Sequence, residues 1–129
     1  MPTAVRFMPA PSRSNKRAAE ARGRRAETIA AWWLRVHGWR ILAQRVKTRA
    51  GEVDLIARRG RTLAFVEVKA RSTSFDLALA IDERRLGRVA AAANWLAHRY
   101  AHPGDSIRID VILIGRDWPK HLPNVWHGG

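Results

Sequence analysis

The chain of 129 residues has room for one domain with a modest core, so site and fold must share the same few elements. Its 24 Lys and Arg against 11 Asp and Glu give a formal net charge of +13, which favours a polyanionic partner held through phosphate contacts, nucleic acid first and ribosomes or anionic membranes after it. It has no cysteine, which excludes disulfides, thiolate zinc sites and thiol nucleophiles and suits a reducing cytoplasm; no apolar run reaches the length of a membrane span, so a soluble protein is expected.

Residues 1–23 hold three of the six prolines, many basic side chains and a single acid, Glu20, and are expected to form a flexible basic arm. An acid-poor, arginine-rich start of this kind also fits an organelle transit peptide, the second choice because nothing marks a cleavage point. From Arg24 to His37 the apolar residues Ala26, Ile29, Ala30, Trp33 and Val36 recur at helical spacing, and Gly38 ends the helix. Glu27 lies at the border of that stripe, where a solvated face or the helix macrodipole is its ordinary use.

Three strands are predicted next, Trp39–Val46, Glu52–Arg58 and Thr62–Lys69, joined by KTRAG and by a tight turn at Arg59-Gly60. Residues 77–97 follow as one or two helical pieces whose apolar stripe includes Leu86, Val89, Ala90 and Ala93. His102-Pro103-Gly104 breaks the chain, and Ile107–Ile114 alternates as a strand should. The tail, 117–129, is expected to be irregular around a domain spanning 24–116. The order is αβββαβ, an α/β fold with a mixed sheet flanked by helices, in which the last two strands run parallel across a helical crossover.

Side chains of a strand alternate between faces, so Phe65, Glu67 and Lys69 share one face of AFVEVK. Charges inside an apolar segment are costly unless paired or bound to metal; a Glu–Lys pair on a solvated face is the plain alternative. Asp54 interrupts Val53-Asp54-Leu55-Ile56 in the same way. A two- or four-residue turn at Gly60 puts both acids on one face, roughly 5 to 8 Å apart at the backbone. Two carboxylates at that spacing suit one hard divalent cation, Mg²⁺ or Mn²⁺, and Lys69 supplies a nearby ammonium to serve an attacking water or neutralise phosphate. That is the equipment of phosphodiester hydrolysis.

The spacing of Asp54 and Glu67-Val68-Lys69 resembles the PD-(D/E)XK signature of restriction-endonuclease-like nucleases, although Val53 replaces the leading proline. Gly23, Ala26-Glu27, Ala30, Leu34 and Gly38, then GEVDLIA, FVEVKAR and RID, are similar to the YraN family of small bacterial proteins, over residues 23–114. The resemblance implies a restriction-endonuclease-like fold related to archaeal Holliday junction resolvases, with Glu27, Asp54, Glu67 and Lys69 as the catalytic residues and Glu27 joining Asp54 and Glu67 on the metal. It departs at Gln44, where the family has asparagine, and at Arg84-Arg85, where it has lysine; arginine keeps phosphate affinity but cannot serve as a base. By analogy with resolvases a homodimer is expected.

Arg71, Arg84, Arg85 and Arg88 are the expected phosphate contacts. Trp32 or Trp33, Trp39 and Trp95 are assigned to packing, leaving Trp118 and Trp126 freer to stack on bases. The histidines show no metal-ligand spacing. The expected activity is a metal-dependent endonuclease acting on DNA rather than RNA, plausibly branched; a catalytically silent nucleic-acid-binding module and, more weakly, an adaptor for an acidic protein are the alternatives.

Overall fold

A computed structural model describes residues 13–70, 82–116 and 118–126. Arg71 and the start of the predicted second helix lie outside the described residues. The elements are α1 (Arg13–Val36), β1 (Arg40–Lys47), β2 (Glu52–Arg59), β3 (Thr62–Ala70), α2 (Glu83–Tyr100), β4 (Ser106–Ile114) and β5 (Lys120–Leu122).

The strands form one sheet in the order β1-β2-β3-β4-β5. Its first three members are antiparallel, β3 and β4 run parallel, and β5 returns antiparallel to β4. Arg59 pairs with Thr62, so the turn holds two residues, with Gly60 at φ 61° where an L side chain is disfavoured. Helix α1 covers one face through Ala26, Ala30, Ala31 and Leu34, packed on Leu55, Ala57, Ala64, Val66 and Ile112. Helix α2 covers the other through Leu86, Val89, Ala92, Ala93 and Leu96, packed on Val53, Ile56, Leu63, Phe65 and Val111. Each large aliphatic side chain buried this way contributes about 1.5–3 kcal/mol.

Two boundaries differ from expectation. The expected arm gives way to helix from Arg13 onward: no proline lies between Pro11 and Pro103, and Lys16, Arg17, Ala18, Ala19, Glu20 and Ala21 are all strong helix formers. They carry no apolar stripe, so periodicity alone cannot detect them. The tail is also not wholly irregular, because Lys120–Leu122 pairs with Val111–Leu113 between two prolines that hide so short a strand.

Helix α1 ends as predicted, with Gly38 at φ 89° and Trp39 N–H returning to Leu34 O at 2.9 Å. Helix α2 starts at Asp82, whose Oδ1 accepts from Arg84 N–H at 3.0 Å. Its far end is tied to β2 by Arg58, which donates to both Asp105 oxygens, at 3.1 and 2.7 Å, and to Tyr100 O at 2.8 Å. Hydrogen bonds from Arg58 and from the His102 N–H hold the Asp105 carboxyl down at about 2. Strand β1 is an edge: its register slips between Ile41 and Ala43, and Arg40, Gln44, Arg45 and Lys47 are exposed along it.

A second polar cluster sits between β4 and β5. Asp110, fully buried, accepts from His121 Nε2 at 2.7 Å, from Arg108 at 3.2 Å and from Asn124 N–H at 2.9 Å. Burial alone would raise its pKa, but the bonds from His121, Asn124 and Arg108 hold it below the usual carboxylate value. Arg108 also lies over the Trp39 ring at 5.2 Å, with Arg59 over the same ring at 4.6 Å. Among the described residues, no helix is long and apolar enough to cross a membrane.

Candidate active site

Pairing between β2 and β3 stops at Leu55↔Val66, one step short of Asp54. The Asp54 side chain takes up the ladder beyond it, Oδ2 accepting from Val68 N–H at 2.7 Å. On the other side, Arg45 and Asp54 lie between the pairs Gln44↔Leu55 and Val46↔Val53, and Arg45 has φ 53°, a left-handed conformation costly for arginine. Val53 and Ile56 both join the α2-side cluster although they are three residues apart, so β2 changes face around Asp54. Asp54 therefore occupies a splay in the sheet rather than a regular position across from Glu67.

The two acids still share one pocket, also lined by Glu52, Arg84, Arg85 and Arg88. Glu67 is 2% exposed, and its Oε1 lies 2.5 Å from Arg85 Nε. Burial first, then the charge of Glu67, push the Asp54 carboxyl up to about 7, against the opposing bond from Val68 N–H; Glu27 adds to the rise and Arg85 reduces it. A desolvated pair of carboxylates that holds a proton so strongly is a pair that accepts a cation in its place.

The other predicted site residues are placed less uniformly. Lys69 is buried two residues beyond Glu67 on β3 but does not line the pocket. Glu27 is turned toward β1, its Oε2 receiving Arg45 Nε at 2.5 Å, and it touches the site through its charge on Asp54. Arg84, Arg85 and Arg88 stand together at the pocket as expected, exposed on the first turns of α2.

Sequence reasoning missed Arg45. An arginine on an edge strand carries no signal of a left-handed conformation or of a partner eighteen residues earlier in the chain. The tryptophan assignments also change. Trp39 is buried and Trp33, rather than Trp32, packs on the α1-side core, but Trp95 is 66% exposed, while Trp126 packs against the α2-side core.

Asp54 and Glu67 fit Mg²⁺ or Mn²⁺ by donor chemistry, as hard oxygen ligands in a partly dry pocket. Among the described residues no three Asp, Glu or His side chains are gathered to hold a metal on their own.

Gly51 closes the rim. A Cβ there would meet the Arg88 carbonyl oxygen at 2.8 Å, so the β1–β2 turn rests directly on the α2 backbone. Because that neighbour is main chain, Gly51→Ala must push the turn off the helix. It is expected to destabilise the fold by about 1–3 kcal/mol in urea unfolding and to weaken oligonucleotide binding; an unchanged unfolding midpoint would show that the contact is not tight.

Fold and pocket define a small basic α/β protein whose mixed sheet, held between two helices, carries a carboxylate pair walled by arginines. The model of Uncharacterised protein family UPF0102 matches residues 26–114, and the chain belongs to that family. A UPF0102 protein of Rhizorhabdus wittichii is 64% identical over 117 residues, covering 89% of this chain and 98% of the relative. One of Sphingopyxis alaskensis is 66% identical over 110 residues, covering 84% and 95%, and one of Methylorubrum extorquens is 47% identical over 120, covering 92% and 94%. The resemblance to the YraN family is thereby borne out.

Proposed function

We propose that the pocket is a metal-dependent endonuclease site acting on DNA. The observation that carries this reading is the pair Asp54 and Glu67 in one arginine-lined pocket, with the Asp54 carboxyl raised to about 7 by burial and by its neighbour. Asp54 and Glu67 would hold Mg²⁺ or Mn²⁺, which supplies charge neutralisation and a Lewis acid at the scissile phosphate. Arg84, Arg85 and Arg88 bind and orient the flanking phosphates, and Arg71 extends that set. Lys69, buried two residues beyond Glu67 on β3, would supply the ammonium that serves the attacking water or neutralises phosphate. Glu27 completes the acid set when Arg45 releases it.

Arg85 has two anions to choose between. In the structure it pairs with Glu67; a substrate phosphate at the mouth would compete for it and leave Glu67 to the metal. Metal and DNA are therefore expected to bind with positive coupling.

The test is a cleavage panel of duplex, single-stranded and branched DNA, with RNA counterparts, in Mg²⁺ or Mn²⁺. The expected result is cleavage of DNA by the wild type and loss of it in Asp54→Ala and Glu67→Ala. Activity that persists in both variants belongs to a contaminant and sinks the assignment.

A second reading, a catalytically silent nucleic-acid-binding module, draws on the Arg85–Glu67 and Arg45–Glu27 pairs, which neutralise two acids without any metal. Calorimetric titration with Mn²⁺ separates the two. Binding that disappears in Glu67→Ala supports the nuclease, and salt-sensitive DNA binding with no metal uptake supports the silent module.

A further inference from the structure

Helix α2 presents more than the pocket arginines. At 3.6 residues per turn, Arg84, Arg88, Trp95 and Arg99 fall within about 60° of one another around the axis, a single exposed stripe along one border of the buried face. Trp95 stands beside the buried Leu96 but is rotated roughly 100° from it, which leaves its indole 66% exposed.

It does not lie on open surface. Trp95 forms one wall of a groove of about 370 Å³, with Arg99 from the same helix, Lys47 at the end of β1 and Arg49 from the β1–β2 turn, and among the described residues no acid lines it. The rest of Gly51 on Arg88 fixes that turn against α2, so the cationic wall has a defined position relative to the ring. Trp32 and Trp118 are comparably exposed, but neither lines this groove.

A flat aromatic face among three cations, with no anion, is complementary to an unpaired nucleobase whose flanking phosphates lie on the cations. Along the helix, Trp95 is about 16 Å from Arg84 at the pocket, the length of roughly five stacked bases. The geometry points to Trp95 as the stacking platform of a second nucleic-acid subsite, which takes an unpaired base of DNA about five nucleotides from the carboxylate pocket. This rests on the nuclease reading of that pocket and narrows its substrate to DNA with a single-stranded stretch next to the scissile region.

The experiment measures binding by fluorescence anisotropy in EDTA, so that cleavage plays no part, using a labelled blunt duplex, the same duplex with a single-stranded extension of about five nucleotides, and that extension made abasic. The wild type is expected to prefer the tailed duplex over the blunt one by roughly ten-fold, and to lose the preference on the abasic tail. Trp95→Ala should abolish the preference and Trp95→Phe retain most of it. A preference undiminished in Trp95→Ala overturns the inference. Equal wild-type binding to blunt and tailed duplexes overturns it too and leaves the pocket assignment standing; binding to neither, in EDTA and also in Ca²⁺, overturns both.

Discussion

Replacing Asp54 by asparagine is expected to make the protein more stable at pH 8 while lowering metal-dependent cleavage by about 100-fold or more. The folded pKa of Asp54, about 7, lies above its ordinary value of 3.8, so the native state binds this proton more tightly than the unfolded chain does. The stability linked to that proton is complete below pH 3.8, declines as pH rises, and is gone once pH has passed through 7. Asparagine keeps the shape of the side chain and an oxygen for the Val68 N–H, but it has no charge to bury beside Glu67. In EDTA, the difference in melting temperature between Asp54→Asn and wild type should be small near pH 4.5 and grow to several degrees at pH 8, on the order of 2 kcal/mol. Thermal melts across that range decide it. A difference that does not change with pH would show that Asp54 is not the strained member of the pair.

The second large effect lies away from the pocket. Asp110→Ala removes the acceptor of His121, Arg108 and the Asn124 N–H at once and leaves a half-buried arginine and histidine without their carboxylate. Breaking a buried charged network from one side costs about 3 kcal/mol or more, roughly 10 °C in a domain of this size. Chemical unfolding measures it, and Asp110→Asn, which keeps a carbonyl for the Asn124 N–H, should lose less. Because the Asp110 carboxyl is held below its ordinary pKa, its contribution is present at neutral pH and is lost only as the solution becomes acid enough to protonate it in the folded state. A loss in Asp110→Ala of under about 1 kcal/mol would mean that water replaces the carboxylate.

Much of this architecture was legible in the residues because its physics is local. Alternation marked β2, β3 and β4, the Gly60 turn set the hairpin, and two acids interrupting two apolar strands marked the pocket. The family resemblance singled out Arg84 and Arg85, and these two with Arg88, expected as phosphate contacts, line it. What could not be read is what depends on distant partners. The left-handed Arg45 and its bond to Glu27, the closure of Arg85 on Glu67 and the change of face at Asp54 all arise when elements far apart in sequence pack together. Trp95 shows the same limit at finer scale: a helical stripe defines a buried arc to within about one residue, and one residue is the difference between core and surface. The first turns of α1 escaped for the opposite reason, since they form from backbone propensity with almost nothing to bury.

The edge strand β1 bears on self-association. An open sheet margin offers unpaired main-chain groups to any second copy, and sheets that must stay apart disrupt that margin with irregular pairing and like charges. Here the slip between Ile41 and Ala43, the left-handed Arg45 and the cations Arg40, Arg45 and Lys47 work against edge-to-edge joining of two copies. Two copies of this chain would have to meet through some other surface, leaving this margin, and the cationic groove that begins at its end, uncovered.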